Sequence, residues 1–342
     1  MHAALLVGTD KPLVLRDVED PPVGAGDVLV RIRAAGICDT DARFMKFGAP
    51  WLQNPAILGH QIAGQVARVG TEVKEVGAGD RVVVNFLVSC GECFYCKLGK
   101  ENLCLSFQAL GVQRPGGFAD YVAVPQSNVI RIPAKLPYAE ASLIPCGFAT
   151  PYRAFKQARV KAGETVVVLG GRLWGLASIM IGHLLGARVL VADTEPQRLK
   201  HAEQFGADRV ENLAAEDFAE RTRRWSGDLG ADCLIDFTGE PDLIEKGSRC
   251  LRKAGKIVVV GRAGSSGTVN LDIRRLISEE MEVMGGWLVR NSEVEELVGY
   301  ASQGLWDLSR LITRKIRLPE IQRGFDLMEK EFPLSVVVEM EE

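Results

Sequence analysis

Between residues 90 and 104 the chain reads CGECFYCKLGKENLC, four cysteines spaced C-x2-C-x2-C-x7-C. No other segment constrains the fold as much. Zinc takes four thiolates tetrahedrally at about 2.3 Å, and two-residue gaps let one tight loop present neighbouring sulfurs to a single ion. Gly91 and Gly99 give that loop its turning freedom. Four protein ligands close the coordination shell, so a zinc held by Cys90, Cys93, Cys96 and Cys104 is expected to be structural. A set of free or redox-active thiols is the plain alternative. A nucleic-acid-binding zinc ribbon would bring a basic neighbourhood, whereas here 41 Lys and Arg face 44 Asp and Glu for a net charge of −3. Their scatter offers no footprint for nucleic acid or an anionic membrane.

Eight cysteines in 342 residues are too sparse for a secreted disulfide scaffold, and a cluster in a reducing compartment reads as a metal site. The opening MHAALLVGTDKPLVLRD alternates apolar and polar residues and predicts a strand pair rather than a signal peptide. No apolar run approaches the roughly 20 residues of a membrane helix. A cytoplasmic protein is expected.

Two textures meet near residue 148. Before it, short β-rich runs such as DVLVRIRAAGI, GQVARV, DRVVVNF and FADYVAV lie between glycine and proline punctuation, the pattern of a mostly antiparallel barrel. After it, the strands TVVVLGG, RVLVAD, CLIDFTG and KIVVVG alternate with helical stretches through LASIMIGHLLG, PQRLKHAEQFG and DLIEKGSRCLRKAG. That alternation predicts a parallel sheet covered on both faces. From Met284 it fades, and EVEELVGYASQG leads to a last strand, LSVVVEM, expected to fold back onto the first domain.

A second donor set is dispersed: Cys38 in AAGICDTD, His60 in ILGHQIAGQV and Cys146 in LIPCGFATPY. Alone, a buried cysteine is usually a small hydrophobe. Together, two thiolates, an imidazole and one exchangeable oxygen make an open, catalytic zinc site.

These segments, GICDTD, GHQIAGQV, GDRVVV, CGECFYCKLGKENLC and CGFATPY, resemble in order the zinc-containing medium-chain dehydrogenase/reductase family, alcohol and sorbitol dehydrogenases among them. The similarity covers essentially the whole chain. It implies an α/β protein: a GroES-like, mostly antiparallel β-barrel catalytic domain, residues 1–148 and 287–342, and a doubly wound Rossmann domain, residues 149–286. It implies an active site in the cleft between them, two zincs per chain, and NAD(H). Cys38, His60 and Cys146 would bind the catalytic zinc, with Asp41 orienting His60 unless it is an ordinary solvated aspartate. Thr40 would receive the substrate proton, unless it is a turn hydroxyl. Phe86 matches a pocket-lining aromatic; Trp51 and Trp287 are further pocket candidates, with plain core packing as the alternative.

For the cofactor, the strand TVVVL is followed by Gly170, Gly171, Arg172, Leu173, Trp174 and Gly175 and then by an apolar helix. The dinucleotide fingerprint G-x-G-x-x-G belongs at such a turn, with the pyrophosphate at the helix N-terminus. The first and third glycines match, but Arg172 replaces the second. Arg172 either pairs with a phosphate or weakens binding by its bulk. Asp193, 18 residues after Gly175, ends RVLVAD. It is expected to accept the adenosine ribose hydroxyls and favour NAD(H) over NADP(H), with a helix cap as the alternative. Arg198 is expected to flank the adenine. The resemblance adds Thr150 at the nicotinamide and Thr238, Gly261 and Arg262 at later strand ends.

The expected reaction is zinc-assisted hydride transfer between NAD(H) and a small-molecule alcohol, polyol or matching carbonyl. Two further departures stand out. Gln61 follows the zinc-binding histidine where many relatives carry Glu, and Arg43 holds the place of a relay histidine in some alcohol dehydrogenases. The rival readings are a zinc-containing carbonyl or enoyl reductase on the same fold and a zinc-binding relative without turnover. A homodimer or homotetramer is expected, paired through an edge strand in MEVMGGWL, and no nucleic-acid or membrane partner.

Overall fold

The computed structural model describes residues 1–49, 51–52, 54–261, 267–330 and 334–341. They fall into two compact units, Met1–Ala149 with Leu288–Glu342, and Thr150–Trp287.

The first unit is built around the strand Asp27–Ile37, in which Val28, Val30 and Ile32 are essentially inaccessible to solvent. One of its edges carries the strand Gln61–Val69 in antiparallel register, with Gly36 opposite Gln61. The other edge is shared: Tyr121–Pro125 pairs with its first half and Val336–Glu339 with its second, both antiparallel. Val336–Glu339 thus lies in the same sheet as Asp27–Ile37, about 300 residues earlier in the chain. Arg81–Val84 and Val129–Arg131 extend the sheet on one side, and Arg314–Arg317, parallel to its neighbour, ends the other. The opening segment forms the expected pair, His2–Leu6 with Val14–Asp17.

The second unit holds six parallel strands. In space they run Arg209–Asn212, Arg188–Asp193, Thr165–Leu169, Ala231–Asp236, Leu251–Val259 and Glu282–Gly285. Counted along the chain this is the order 3-2-1-4-5-6, the doubly wound arrangement whose ligands bind where the order reverses. Here the reversal lies between Thr165–Leu169 and Ala231–Asp236. Thr165–Leu169 is buried throughout because helices cover both faces. Val167, Leu169, Leu190, Leu234 and Ile257 join Phe218 and Ile244 in one core cluster.

One element differs from expectation. The helix through DLIEKGSRCLRKAG stops at Ser248, and Leu251 begins the next strand opposite Ala231. Residues 252–255 then bulge before Lys256 meets Cys233, with Ala254 at φ 58°. Pairing of Leu251 outweighs the helical pattern that the charged run imitates. No helix among the described residues is long and apolar enough to cross a membrane.

Candidate active site

The four clustered cysteines form a knuckle. Their sulfurs all lie within 4.8 Å of one another. Cys93 and Cys96 are 3.5 Å apart, Cys90 and Cys104 3.5 Å, and Cys90 and Cys96 3.9 Å. Four sulfurs about 2.3 Å from a common centre stand about 3.8 Å apart, so a tetrahedral zinc fits this set. Backbone amides aim inward: Cys90 N–H donates to the Cys104 sulfur at 3.3 Å and Cys93 N–H to that of Cys90 at 3.4 Å. Amides of residues 92 and 93 bring the Cys90 thiol down to about 6, whereas burial leaves Cys96 up at about 12.

The dispersed set assembles as well: the ligand atoms of Cys38, His60 and Cys146 lie within 4.8 Å of one another, and all three residues are buried. Each arrives for a local reason. Cys38 caps the helix Asp39–Phe47 at the end of the strand Asp27–Ile37. Because Gly36 faces Gln61, the ladder sets His60 beside that strand end. Cys146 sits in a single π-helical turn, Ile144–Phe148, the kind of irregularity common at functional sites.

Asp41 ties two of these together. It is 1% exposed, not solvated. One carboxylate oxygen accepts the Cys38 amide at 3.0 Å; the other lies 3.1 Å from His60 Nδ1 and accepts the Gly59 amide at 3.2 Å. A carboxylate can only accept, so Nδ1 donates to Asp41, and Nε2 is the nitrogen left for a metal once the ring is neutral. A hydrogen bond from Cys146, working against burial, holds the Cys38 thiol well below its ordinary value, helped by the charge of His60 and the Thr40 amide. Burial pulls the His60 imidazole down, but the charges of Asp41 and Cys38 outweigh it and hold it well above its ordinary value. Thiolate, oriented imidazole and second sulfur are the donor chemistry of a zinc ligand set.

Of the pocket candidates, Phe86 is buried with its ring edge-on to His60, centroids 5.2 Å apart. Trp51 is exposed in a turn beyond the helix Asp39–Phe47, and Trp287 is half-buried in the second unit. Sequence reasoning missed Trp306, whose ring lies 5.3 Å from that of Phe148 in the Cys146 turn and 5.8 Å from Tyr300. Nothing in its local sequence marks it, because the contact spans more than 150 residues.

At the reversal point of the parallel sheet, Gly170 turns at φ 102° and opens into the helix Leu173–Leu184. A Cβ on Gly175 would stand 2.1 Å from the Gly170 carbonyl oxygen, so that glycine is what lets the helix pack onto the loop. Asp193 lies beside it, 4% exposed; its carboxylate accepts the Gly171 amide at 2.7 Å and the Glu195 amide at 2.9 Å, and pairs with Arg198 at 3.3 Å. It does not cap the next helix, which Glu195 caps. Across the reversal point, Thr238 bonds Asp236 through both its amide and its hydroxyl. Gly261 packs onto that turn, where a Cβ would come within 2.2 Å of the Gly239 nitrogen. Trp174 packs on Phe237 at 5.6 Å, Leu173 is half-buried, and Thr150 is half-buried in the helix Ala149–Ala158. Arg262 lies outside the described residues. A glycine turn leading into a helix, beside a buried carboxylate at a strand end, fits a dinucleotide, with Arg172 in place of the glycine that would let the backbone approach most closely.

Comparison with known proteins agrees with this geometry. Residues 24–134 match the family model of the alcohol dehydrogenase GroES-like domain, and residues 175–303 that of zinc-binding dehydrogenases. Over 339 residues, 96% of each chain, the protein is 31% identical to an NAD-dependent alcohol dehydrogenase of Sulfurisphaera tokodaii. The chain belongs to the zinc-dependent medium-chain dehydrogenase family. Within that family it is also 30% identical to the sorbitol dehydrogenase of Bacillus subtilis, over 96% of this chain and 93% of that one. The crystal structure of an alcohol dehydrogenase from Thermotoga maritima, 30% identical, superposes with a TM-score of 0.90 over 99% of both chains.

Against this family background two departures gain a location. Gln61 is fully buried, and neither of its amide atoms has a hydrogen-bond partner among the described residues. Its Oε1 lies 2.7 Å from where a Cβ on Gly36 would be, so Gly36 makes room for it. Arg43 sits on the helix Asp39–Phe47, three residues beyond Thr40. The histidines outside the ligand set are engaged elsewhere: His2 with Asp17 and Asp120, His183 with Asp208, and His201 with Gln197.

Proposed function

We propose that this protein is an NAD(H)-dependent zinc oxidoreductase that interconverts an alcohol or polyol and the matching ketone or aldehyde. The observation that carries the reading is the open three-donor set, Cys38, His60 and Cys146, with its imidazole fixed by Asp41. In this reading residues 1–148 with 287–342 are the catalytic domain and 149–286 bind NAD(H). Cys38, His60 and Cys146 hold a catalytic zinc, and Cys90, Cys93, Cys96 and Cys104 a structural one. Zinc at the open set would offer Lewis acidity to an alcohol or carbonyl oxygen, and NAD(H) would carry the hydride.

The protein's own residues orient and shuttle. Asp41 keeps the His60 proton on Nδ1 and so sustains the imidazole as a donor. We assign Thr40 to the substrate proton: its hydroxyl follows Cys38 by two residues, and its backbone amide is already turned toward the Cys38 sulfur. Phe86 lines the apolar wall beside His60, with Trp51 and Trp287 as further pocket residues. Around NAD(H), Asp193 faces the adenosine ribose and Arg198 the adenine. Gly170, Gly171, Leu173, Trp174 and Gly175 form the turn, Thr150 is assigned to the nicotinamide, and Thr238 and Gly261 to the later strand ends, with Arg262, outside the described residues, proposed alongside them.

We further assign a homodimer or homotetramer paired through Glu282–Gly285. That strand lies at the sheet edge, and Val283 on it and the nearby Ile273 and Ile277 are exposed. A cytoplasmic location suits a chain whose clustered cysteines are read as metal ligands rather than disulfide partners.

Metal content per chain, measured with NADH titration by fluorescence, tests the reading. Two zincs, saturable NADH binding and NAD reduction by members of an alcohol and polyol panel are expected. One zinc, or two without NADH binding, would overturn it.

A further inference from the structure

We propose that Asn291 is a positioning residue for the open donor set, joining the knuckle to the segments that carry Phe86 and Cys146. The proposal rests on the zinc reading above and deepens it.

An asparagine near a helix start ordinarily caps its own helix. Asn291 opens the helix Asn291–Ser302, yet both atoms of its side-chain amide turn to other segments. Its Oδ1 accepts Asn85 Nδ2 at 2.7 Å, and its Nδ2 donates to the Ser127 carbonyl at 2.7 Å. Main-chain partners fix the orientation of both amides. The Ser127 carbonyl can only accept, and Asn85 Oδ1 already receives the Leu87 amide at 3.1 Å. The helix closes without this side chain, since Glu293 accepts the Arg290 amide at 2.9 Å.

Through Asn85, Asn291 reaches the residue beside the imidazole. Asn85 is fully buried and comes just before Phe86, whose ring stands edge-on to His60. The Asn85 amide donates to the Asn128 carbonyl at 2.8 Å. In return, Asn128 Nδ2 donates to the carbonyls of Asn85 at 2.8 Å and Leu87 at 2.6 Å. Both chain neighbours of Phe86 are therefore pinned by side-chain amides, and Asn291 closes that network from outside. A buried polar network whose members are all bonded makes its surroundings rigid.

The same helix start is gripped from the knuckle. Glu101 and Asn102 lie between Cys96 and Cys104. Glu101 Oε1 accepts the Asn291 amide at 3.1 Å, and the buried Asn102 accepts Arg290 Nε at 3.1 Å through its Oδ1. A carboxylate suits a helix N-terminus, where amides lack partners and the dipole is positive. Further along, the helix buries Val294, Leu297 and Val298 and packs against the turn Ile144–Phe148 that carries Cys146. Its Tyr300 meets Trp306, which lies on Phe148. Knuckle loop, Phe86 segment and Cys146 turn thus share one anchor, all within the first unit. Without the Asn291 side chain the last two lose their common reference, and the open set holds its metal less firmly. The knuckle, complete in its own loop, does not.

The test follows zinc release into a chromogenic chelator from wild-type holoenzyme, Asn291→Ala and Glu101→Ala. The release phase that is absent from Cys146→Ser belongs to the open set. Asn291→Ala should speed that phase about tenfold, the scale of one or two neutral hydrogen bonds, and leave the knuckle phase unchanged. Glu101→Ala, on the knuckle surface, removes one grip on the helix and should speed it about threefold, the scale of one charge at a helix end. Thermal midpoints separate positioning from plain destabilisation, because a merely structural loss lowers the midpoint and speeds both phases together. That result, or an open-set phase unchanged in Asn291→Ala, overturns the proposal. If the wild type releases a single zinc per chain, the zinc reading itself falls, and this proposal with it.

Discussion

The two sulfur-rich sites of the first unit use the same chemistry in opposite ways. The knuckle draws four cysteine sulfurs from one stretch of 15 residues, Cys90 to Cys104, and the amides of Cys90 and Cys93 donate to two of them. The other set draws three donors from a strand end, a β-ladder neighbour and a π-helical turn, at residues 38, 60 and 146. A local site assembles wherever its loop folds. A distributed one exists only when the surrounding sheet is in register, so it reports on the whole unit, and three donors would leave a fourth coordination position open.

The sharpest way to break this contrast is to remove one sulfur from each. Cys146→Ser should lower zinc from two per chain to one and reduce kcat/KM by about 10³-fold or more, the loss of several kcal/mol of Lewis-acid stabilisation. Its thermal midpoint should move little. Cys93→Ser should also leave one zinc, yet here the main readouts are protease cleavage within 90–105 and a fall in thermal midpoint, because a structural metal is folding energy. Metal analysis, a melting curve and an activity assay on both variants decide the matter. If both lose stability equally, the division of labour is wrong.

A finer probe is Asp41→Asn. It leaves every sulfur in place but replaces the acceptor that fixes His60, with an expected 10–100-fold loss of zinc affinity or activity. Zinc retention during dialysis against a chelator reads it out, and a knuckle unaffected in the same experiment would sharpen the contrast.

The division also explains what was legible in the sequence. The knuckle declares itself because its spacing is its geometry. The Rossmann strands are legible because burial on both faces leaves continuous apolar runs such as TVVVL. Cys38, His60 and Cys146 were each a weak signal and were tied into one site by family resemblance, since no short-range pattern encodes a meeting between residues 38 and 146. Trp306 escaped for the same reason. The LRKAG run was misread because a bulge interrupts the alternation of its strand. That Asp193 is held by Gly171 and Arg198 could not be seen at all, because it depends on where the loop closes.

The smallest expected effect lies away from both metals. The Gly77 amide and then Arg131, at 2.9 Å, hold the Asp80 carboxyl below its usual range. Its folded value is depressed, so its contribution is present above the unfolded value of about 3.9 and is lost as pH falls through the lower folded value. Melting curves of Asp80→Asn and wild type should therefore differ slightly near neutrality and converge in acid, with zinc content and activity untouched. A change in zinc content would mean the two sites are less separate than their geometry implies.

The sheet that delivers Cys38 has a consequence for biosynthesis. Asp27–Ile37 emerges from the ribosome early, but its partner Val336–Glu339 follows about 300 residues later, on the order of 15–60 s at ordinary elongation rates. Through that interval the edge beside the Cys38 end of that strand lacks this partner, while the contiguous Thr150–Trp287 can already fold. The contiguous second unit can thus fold before the sheet that holds Asp27–Ile37 gains its last strand.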